Sequence, residues 1–340
     1  MTKIAAFELE PWEEKFLSDK LGSSFEIFFF DHSLKQDDVE KIKDVEALVV
    51  FIYSRVTKEI IDTLPNLKFI ATMSTGFDHI DLATCKARNI IVSNVRGYGE
   101  ITVAEHTFAL LLALSHRIVE SYERVKEGYF SPEGLTGFDI SGKTLGVIGV
   151  GSIGKHVIEI AHGFGMNVLG YTRTPDPELE KKLNFKSTDM DTLLTTSDII
   201  TLHVPFSPET QHMINEEAIQ KMKDGVIILN TSRGGLIDTK AMLKYVENKK
   251  IGGVGLDVCE AEPALREEKQ LLSKEFNSES LMHILEEKML LNHKNVIITP
   301  HNAFNSREAL ELILSTTVAN IEGYKNNAPQ NVVPLEQERT

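Results

Sequence analysis

A glycine-rich turn between a strand pattern and a helix pattern constrains this chain more than any other feature. The apolar run 145–148 leads into Gly149, Gly151 and Gly154, and apolar residues then recur at helical spacing. In such a turn Gly149 leaves the strand tightly, Gly151 lets the backbone approach a pyrophosphate, and Gly154 lets helix and strand pack closely. The free N–H groups and the positive dipole end of the helix would face the phosphates. Because a second strand pattern follows at 167–171, the stretch predicts a dinucleotide site rather than a purely structural βαβ unit.

Strand and helix patterns alternate along the whole chain. Before the glycine turn, strands are predicted at 3–7, 26–30, 47–51, 69–71 and 90–93, and helices at 13–21, 37–42 and 58–64. After it, strands are predicted at 199–203, 226–230, 253–257 and 296–299, and helices at 190–195, 216–222, 239–247 and 281–290. This alternation is typical of parallel sheets flanked by helices. We therefore predict an α/β protein with two Rossmann-like or flavodoxin-like domains, each built on a doubly wound parallel sheet.

Two long helix patterns indicate how the domains are connected. Residues 101–119 are apolar on nearly every side, so this helix must be covered all round, and we interpret it as a connector that also forms a homodimer interface. Glu105 and His106 within it are interpreted as an internal pair that fixes packing rather than as catalytic residues. The final helix, 307–324, is expected to cross back to the first domain, so the dinucleotide-binding domain is inserted in the substrate domain. The predicted bounds are 100–302 for the dinucleotide-binding domain, 1–99 plus 303–340 for the substrate domain, and 98–100 and 300–303 for the hinges.

Charge and composition exclude several classes of function. The net charge of −14 argues against nucleic acid and anionic membranes as partners. The longest apolar runs, such as 108–114, are far shorter than the ~18 residues of a membrane span, and the N-terminus lacks the layout of a signal peptide. Cys85 and Cys259 have no metal-ligand spacing and are interpreted as small buried hydrophobic residues. We therefore expect a protein of the reducing cytoplasm.

Three polar residues follow predicted strands whose carboxyl ends should converge on one crevice. They are Arg233, Glu262 and His301. An arginine there could fork the carboxylate and ketone of a 2-oxo acid, and a histidine could donate the proton that the ketone oxygen needs as a hydride arrives. A glutamate hydrogen-bonded to the imidazole would favour its protonated form. Taken singly, each residue is more simply explained as an exposed arginine, a solvated glutamate or a packed histidine.

A series of ordered motifs adds a resemblance to this interpretation. The motifs are Ser74-Thr75-Gly76-Phe77-Asp78-His79-Ile80-Asp81, Tyr98 with Val103-Ala104-Glu105-His106, the turn at 149–154, His203-Val204-Pro205, Asn230-Thr231-Ser232-Arg233-Gly234, Gly255-Leu256-Asp257-Val258 and Thr299-Pro300-His301. With them the chain resembles, over nearly its whole length, the D-2-hydroxyacid dehydrogenase family, most of all its D-lactate dehydrogenase branch. The resemblance implies NAD(P)-dependent reduction of a small 2-oxo acid, pyruvate to D-lactate first, with Arg233, Glu262 and His301 as catalytic residues. Glu262 separates the chain from the formate dehydrogenase branch, in which a glutamine partners the histidine.

The resemblance also implies binding residues. The N–H groups of Thr75 and Gly76 would receive the substrate carboxylate, and Asp257 would orient the nicotinamide carboxamide. The side chains expected to shape the substrate pocket are Phe51, Tyr53, Tyr98 and Phe304. The expected cofactor contacts are Gly149, Gly151, Ser152, Ile153, Gly154, Thr172, Arg173, His203, Val204, Pro205, Thr231, Ser232 and Asp257. No metal is expected.

Two departures from the family pattern bear on specificity. NAD sites usually place an acid at the end of the second strand to bind the ribose 2′-OH, but Thr172 and Arg173 stand there, and the first carboxylate is Asp176. Since Arg173 could pair with a 2′-phosphate, NADP or dual use is favoured; the alternative is an Arg173 that stacks on adenine or faces solvent while NAD binds. Met73 stands where related lactate dehydrogenases often carry an arginine, which leaves the preferred 2-oxo acid open.

Two other functions remain as alternatives. Reduction of glyoxylate or hydroxypyruvate would differ from pyruvate reduction only in the residues of the pocket. A nucleotide-sensing, corepressor-like interaction module shares the fold, since a fold does not fix a function. The sensor is disfavoured because the sequence contains all three predicted catalytic residues. A pure sensor needs neither a proton donor such as His301 with its partner Glu262 nor a substrate-binding arginine such as Arg233.

Overall fold

The computed structural model describes residues 1–260 and 278–334. The chain divides into two compact units, Met1–Tyr98 with Ser306–Thr340, and Gly99–Asn305. Each unit contains one parallel sheet with interleaved helices, which confirms the predicted α/β class. No helix within the described ranges is both long and apolar enough to span a bilayer.

The first unit is built on a five-stranded parallel sheet in the order β2-β1-β3-β4-β5. Its strands are β1 (Thr2–Phe7), β2 (Phe25–Phe30), β3 (Ala47–Val50), β4 (Phe69–Thr72) and β5 (Ile91–Ser93). Its helices are α1 (Pro11–Leu21), α2 (Lys58–Thr63) and α3 (Leu82–Ala87), with α12 (Arg307–Lys325) from the end of the chain. All residues of β3 and β4 are buried, as expected for parallel strands packed on both faces. Their continuous apolar runs are what made these strands predictable.

Two stretches of the first unit differ from the sequence-based prediction. The segment predicted as an α-helix at 37–42 is a 3₁₀ helix, Gln36–Ile42. Helix α3 lies where no helix is predicted, although its start has a local cause. The Asp81 side chain accepts a hydrogen bond from the Thr84 N–H at 2.9 Å and so caps the helix.

The second unit is built on a seven-stranded parallel sheet in the order β12-β11-β10-β9-β6-β7-β8. Its strands are β6 (Thr144–Ile148), β7 (Asn167–Tyr171), β8 (Lys186–Ser187), β9 (Ile199–Leu202), β10 (Val226–Asn230), β11 (Ile251–Leu256) and β12 (Val296–Ile298). Its helices are α4 (Glu100–Ser115), α5 (Ile118–Lys126), α6 (Ser152–Gly163), α7 (Pro177–Leu183), α8 (Met190–Thr196), α9 (Glu216–Lys221), α10 (Thr239–Glu247) and α11 (Ser278–Leu291). The order of strands reverses between β6 and β9, so the predicted doubly wound topology is confirmed. Ligand sites of such sheets lie at this reversal, beyond the carboxyl ends of the strands.

Alternate residues of the strands feed two apolar cores, one on each face of the second sheet. Ile148, Ile200 and Ile228 join the side chains of α8, α9 and α10 on one face. Val147 and Leu229 join α4 and α6 on the other face. A sheet covered on both faces in this way exposes its strand ends, and the loops at its carboxyl edge carry the polar residues.

The helix predicted over 101–119 is two helices. Helix α4 ends at Ser115, and Arg117 takes a left-handed conformation, φ 51°, before α5 begins. The break has a tertiary cause, because the Phe138 N–H donates to the Ser115 carbonyl at 2.9 Å and a Cβ on Gly137 would lie 2.0 Å from that oxygen. Beyond the break Arg117 donates to Glu120 at 2.6 Å. These contacts turn the chain away from the axis of α4.

Candidate active site

Three adjacent strands of the second sheet end at the same level. Asn230 of β10 pairs with Leu256 of β11, and Leu256 pairs with Ile298 of β12. Arg233 follows β10 and His301 follows β12, so one intervening strand separates the loops that carry them, about 10 Å at the usual strand spacing. Glu262, the third predicted catalytic residue, lies outside the described residues.

The loop of Arg233 is fixed by its own neighbours. The Asn230 side chain donates to the Arg233 carbonyl at 2.8 Å and accepts from the Ser232 N–H at 3.0 Å. One guanidinium nitrogen, Nη1, donates to the Ser232 carbonyl at 2.8 Å, and the arginine is half-buried. A Cβ on Gly234 would lie 2.1 Å from the backbone of Cys259, so only glycine allows this loop to pack against the end of β11. The loop that carries Arg233 thereby packs directly against the residues that follow β11.

The loop of His301 is held by one buried carboxylate. Asp257, 1% exposed, accepts from the Thr299 hydroxyl at 2.5 Å and from the N–H groups of Asn302 and Ala303 at 3.0 and 2.8 Å. His301 itself has a left-handed backbone, φ 53°, a costly conformation for a histidine. Donors on both sides of His301 therefore bind the same carboxylate, which keeps the strained residue in place. The sequence motif implies a cofactor contact for Asp257 but does not indicate its hydrogen bonds to the loop of His301.

His106 takes part in the same network, but not as predicted. Glu105 is exposed, so the expected internal pair of Glu105 and His106 is wrong. His106 Nε2 instead lies 3.0 Å from the Thr299 hydroxyl and 3.6 Å from the Asp257 carboxylate. Because that hydroxyl donates to Asp257, the His106 Nε2 carries a proton and donates to the hydroxyl. The partners lie 193 positions apart in the sequence, so no local pattern could have revealed the contact.

The glycine turn after β6 fits a dinucleotide. Gly149 has φ 100°, and a Cβ there would lie 2.5 Å from the His203 carbonyl oxygen. A Cβ on Gly154 would lie 2.1 Å from the Gly149 carbonyl oxygen, which shows the close packing of helix on strand. Space is open beside Gly151, the N-cap of α6, and no side chain caps that helix. The N–H groups of Ser152 and Ile153 thus begin a helix at which a pyrophosphate would be received.

The remaining predicted cofactor residues follow β7, β9 and β10 on the same sheet edge. Arg173 is exposed. The hydrogen bond from the Ser207 hydroxyl lowers the pKa of Glu209 most, and the nearby charge of Arg173 lowers it further. Thr172 lies beside Arg173, half-buried. A cation and a carboxylate therefore lie near each other beyond the end of β7.

The segment His203-Val204-Pro205 lies beside Gly149 of the glycine turn. The segment Thr231-Ser232 contacts α4 and β9. Burial lowers the pKa of His203 to about 3, so its ring is neutral, and its Nε2 lies 2.9 Å from the Thr201 hydroxyl. The Thr231 hydroxyl lies 3.0 Å from that of Thr107, and the Ser232 hydroxyl donates to the Leu202 carbonyl at 2.7 Å. The two hydroxyls therefore hold this loop against α4 and against the end of β9. Val204 approaches Gly149, and Pro205 is exposed.

In the first unit, the predicted substrate residues Phe51 and Tyr53 follow β3 and are held by a carboxylate that the sequence reasoning missed. Glu8, with φ 65°, follows β1. Its carboxylate accepts from the N–H groups of Phe51 and Tyr53 at 3.3 and 3.1 Å and from the Ser54 hydroxyl. Burial raises the pKa of Glu8, and these hydrogen bonds oppose the rise. The two aromatic rings meet edge to face at 6.3 Å.

Thr75 and Gly76 form a turn after β4 whose carbonyl groups are all bound inward. The Ser74 carbonyl accepts from the Val95 N–H at 3.1 Å, that of Thr75 from the Asn94 side chain at 2.8 Å, and that of Gly76 from the Ser74 hydroxyl at 2.6 Å. Within the described parts of the chain, no acceptor takes the N–H group of Thr75 or Gly76. Adjacent N–H groups left in this way form a cradle for an anion. Tyr98 ends the first unit, whereas Phe304 belongs to the second.

Among the described residues no group of three or more metal-ligating side chains comes together. The titratable groups of the site are instead an arginine, two histidines and a buried aspartate, a set suited to binding a carboxylate and moving a proton.

Comparison with known proteins agrees with this chemistry. Residues 108–303 match the family model described as D-isomer specific 2-hydroxyacid dehydrogenase, NAD binding domain. The chain is 35% identical over 322 residues to D-lactate dehydrogenase of Escherichia coli, covering 94% of this chain and 95% of that protein. It is 37% identical over 303 residues to glyoxylate reductase of Thermococcus litoralis, covering 87% and 85%. The structure is similar to that of Aquifex aeolicus D-lactate dehydrogenase complexed with NAD and lactic acid, with a TM-score of 0.85, 36% identity and 96% of each chain covered.

Proposed function

The chain belongs to the D-isomer specific 2-hydroxyacid dehydrogenase family, and we propose that it reduces a small 2-oxo acid, pyruvate foremost, to the D-2-hydroxy acid. It is an NAD-dependent oxidoreductase. The observation that carries the proposal is the placement of Arg233 and His301 after β10 and β12, on the sheet edge that also bears the glycine turn.

In the proposed reaction, the residues of the glycine turn would hold a dinucleotide that, when bound, would supply a hydride for the carbonyl carbon of the substrate. Arg233 binds the carboxylate and polarises the ketone, which only a forked, permanently charged group can do at once. Negative charge develops on the ketone oxygen, and His301 donates a proton to it. Glu262 is assigned to hydrogen-bond the imidazole and favour its protonated form. In the oxidative direction neutral His301 takes the proton back, so oxidation is favoured at higher pH.

The substrate carboxylate is assigned to the N–H groups of Thr75 and Gly76. Their inward-bound carbonyl groups support this assignment, because the turn offers donors only. Phe51, Tyr53, Tyr98 and Phe304 are assigned to the walls of the pocket. Reduction of glyoxylate or hydroxypyruvate is the second candidate, and the similarity to a glyoxylate reductase favours keeping it.

Beyond the NAD use that the family shows, we propose that the chain also accepts NADP or prefers it. Arg173 after β7 supports this preference, since no acid stands at the end of that strand to bind a ribose 2′-OH. The glycine turn and the residues after β9, β10 and β11 are assigned to its phosphates and nicotinamide, with Asp257 near the carboxamide. Steady-state assays with NADH and NADPH test this preference, and a kcat/KM for NADH more than about tenfold above that for NADPH, or 1.4 kcal/mol, would contradict it.

We also propose a homodimer that works in the cytoplasm. Large apolar side chains of α5 are exposed, among them Ile118, Tyr122 and Val125, and Ile101 is exposed at the start of α4. A row of exposed apolar residues is typical of a subunit interface. Sedimentation velocity should give twice the mass of the chain. The double variant Tyr122→Asp and Val125→Asp should sediment as the monomer.

A panel of pyruvate, glyoxylate, hydroxypyruvate and 2-oxobutyrate, each with NADH and NADPH, tests the proposed function. We expect the highest kcat/KM for pyruvate. The variant His301→Ala should lower kcat by a factor of about 10² to 10⁴ with little change in cofactor binding, because general acid catalysis is worth that much. Cofactor binding without turnover of any 2-oxo acid would instead favour the corepressor-like sensor.

A further inference from the structure

The loop that carries Arg233 lies between the loops that follow the two neighbouring strands. Its strand, β10, lies between β9 and β11 in the sheet. On the β9 side, the His212 N–H donates to the Gly235 carbonyl at 2.9 Å. On the β11 side, a Cβ on Gly234 would lie 2.5 Å from the backbone nitrogen of Glu260. The two glycines after Arg233 are therefore in contact with both neighbouring loops.

The side chains of His212 and Glu260 join these two outer loops. His212 Nε2 lies 2.6 Å from one Glu260 carboxylate oxygen, and the other oxygen accepts from the Thr239 N–H at 3.1 Å. Because a carboxylate only accepts hydrogen bonds, the His212 Nε2 carries a proton and donates it. Thr239 is the first residue of α10, the helix that follows the Arg233 loop. One carboxylate thus joins the loops after β9 and β11 to the start of the helix after β10.

The local backbone needs this support. Gly234 and Gly235 have no side chains that could anchor the loop, and glycine has more conformational freedom than any other residue. His212 has a left-handed backbone, φ 49°, which is costly for a histidine and persists only where neighbouring groups hold it. Its N–H and its ring each bind a neighbouring loop. Since the Asn230 side chain binds the Arg233 carbonyl from the other direction, the backbone of Arg233 is fixed on both sides.

We propose that His212 and Glu260 form a clamp that positions Arg233 for catalysis. This assignment rests on the proposed function, because it takes Arg233 as the group that polarises the substrate ketone. His212 and Glu260 are positioning residues, since they act through the backbone of residues 234–235. Polarisation strengthens as negative charge develops on the ketone oxygen, so a displaced guanidinium lowers kcat more than it raises KM.

Steady-state kinetics of His212→Ala with pyruvate test the clamp. The variant removes the Nε2 donor and should lower kcat about ten- to hundredfold, since a shift of ~1 Å at a catalytic group can cost that much. The KM for pyruvate and the Kd for NADH should change less than about threefold. His212→Gln keeps an N–H donor on a long side chain and should recover most of the lost rate. His156→Ala, which removes a histidine–carboxylate pair within α6, is the matched control and should keep the wild-type kcat.

A second set of variants separates the positioning of Arg233 from a general effect on stability. In an Arg233→Gln background the cation is absent, so His212→Ala should lower kcat by less than about a further twofold. Glu260→Ala should lower kcat at least as much as His212→Ala, because it also releases the Thr239 N–H. The addition of His212→Ala to Glu260→Ala should have little further effect, because the two residues act as one unit. A purely structural role would lower kcat by the same factor in every background.

Hydrogen exchange in the wild type and His212→Ala tests the clamp without turnover. The Leu236 N–H donates to the Arg233 carbonyl at 3.3 Å, and the Ile237 N–H donates to that of Gly234 at 3.1 Å. Exchange at these two amides therefore reports opening of the loop. His212→Ala should speed it about tenfold, because a hydrogen bond to a charged group is lost. Exchange in α6 should not change.

Three results would overturn the proposal: a kcat of His212→Ala within about twofold of the wild type, an equal loss of kcat in the Arg233→Gln background, or unchanged exchange of the loop amides in His212→Ala. A wild type that reduces no 2-oxo acid would overturn the proposed function alone. The exchange experiment would still decide whether His212 and Glu260 hold the loop of Arg233.

Discussion

In each unit a carboxylate that follows one strand accepts hydrogen bonds from the loop that follows the neighbouring strand. The two units differ in where the strained backbone lies: in one it is the carboxylate residue, in the other it is a residue of the loop. In the first unit Glu8 is itself strained, with φ 65°, and it holds the relaxed loop of Phe51 and Tyr53. In the second unit Asp257 is unstrained, and it holds the strained His301, with φ 53°. Strain in the second unit thus falls on the residue assigned to proton transfer.

The comparison indicates which carboxylate contributes more to the stability of the protein. Asp257 is almost completely buried and accepts one hydroxyl and two N–H donors from a single short loop. Glu8 is only half-buried, and its charged form is disfavoured by burial, which raises its pKa. Loss of the charge should therefore be costly at Asp257 and cheap at Glu8.

The largest effect is expected for Asp257→Asn. The amide replaces one acceptor with a donor that faces N–H groups, which should lower the free energy of unfolding by about 2–3 kcal/mol. Release of the His301 loop should also lower kcat about a hundredfold. Urea unfolding and steady-state assays measure both, with the exposed Asp224→Asn as control. A variant within about 0.5 kcal/mol of the wild type would show that Asp257 does not hold the loop.

A smaller effect is expected for Thr299→Val, which removes the hydroxyl between Asp257 and His106. The His106 Nε2–H then loses its acceptor, and stability should fall by about 1–2 kcal/mol. The decrease in kcat should be smaller than for Asp257→Asn, because both N–H donors still bind the carboxylate. Thr195→Val, whose hydroxyl binds only its own helix, serves as control. Equal losses in Thr299→Val and its control would break the proposed link through Thr299.

The smallest effect is expected for Glu8→Gln, with a change in unfolding free energy below about 1 kcal/mol near neutral pH. Its pH dependence has a definite sign. A carboxyl whose pKa is raised by folding stabilises the protein fully below its unfolded value of 4.5, and this contribution is lost as pH rises through the folded-state pKa. Compared with Glu8→Gln, the wild type should therefore become relatively less stable as pH rises above about 4.5 and through the raised folded-state pKa of Glu8. A relative gain would show that Glu8 is held mainly by charge.

The comparison of the two units also shows what a sequence can predict. Strands such as β10, Val226–Asn230, were predicted to the residue because buried parallel strands read as unbroken apolar runs. Helix α7 was missed although its signals are local, since Pro177 is its first residue and the Asp176 side chain accepts from Glu178 and Leu179 N–H groups. The local signals of α7 are therefore sufficient to predict it.

Other features had no local signal. The end of α4 depends on Gly137 and Phe138, which reach Ser115 from more than a helix length away in the chain. The contact of His106 with Thr299 and the hold of Glu8 on the loop after β3 are likewise set by the order of strands in the sheets. The motifs lie in loops at the carboxyl ends of strands, but the hydrogen bonds that fix those loops appear only in three dimensions.

The most direct test of the account is the pH dependence of kcat/KM in both directions of the reaction, for the wild type and His301→Gln. If one imidazole gives the proton to pyruvate and takes it back from D-lactate, reduction by the wild type declines and oxidation increases with rising pH. Both limbs should disappear in His301→Gln, together with most of the rate. A variant that keeps both limbs at wild-type rates would contradict the assignment of His301 as the acid and base.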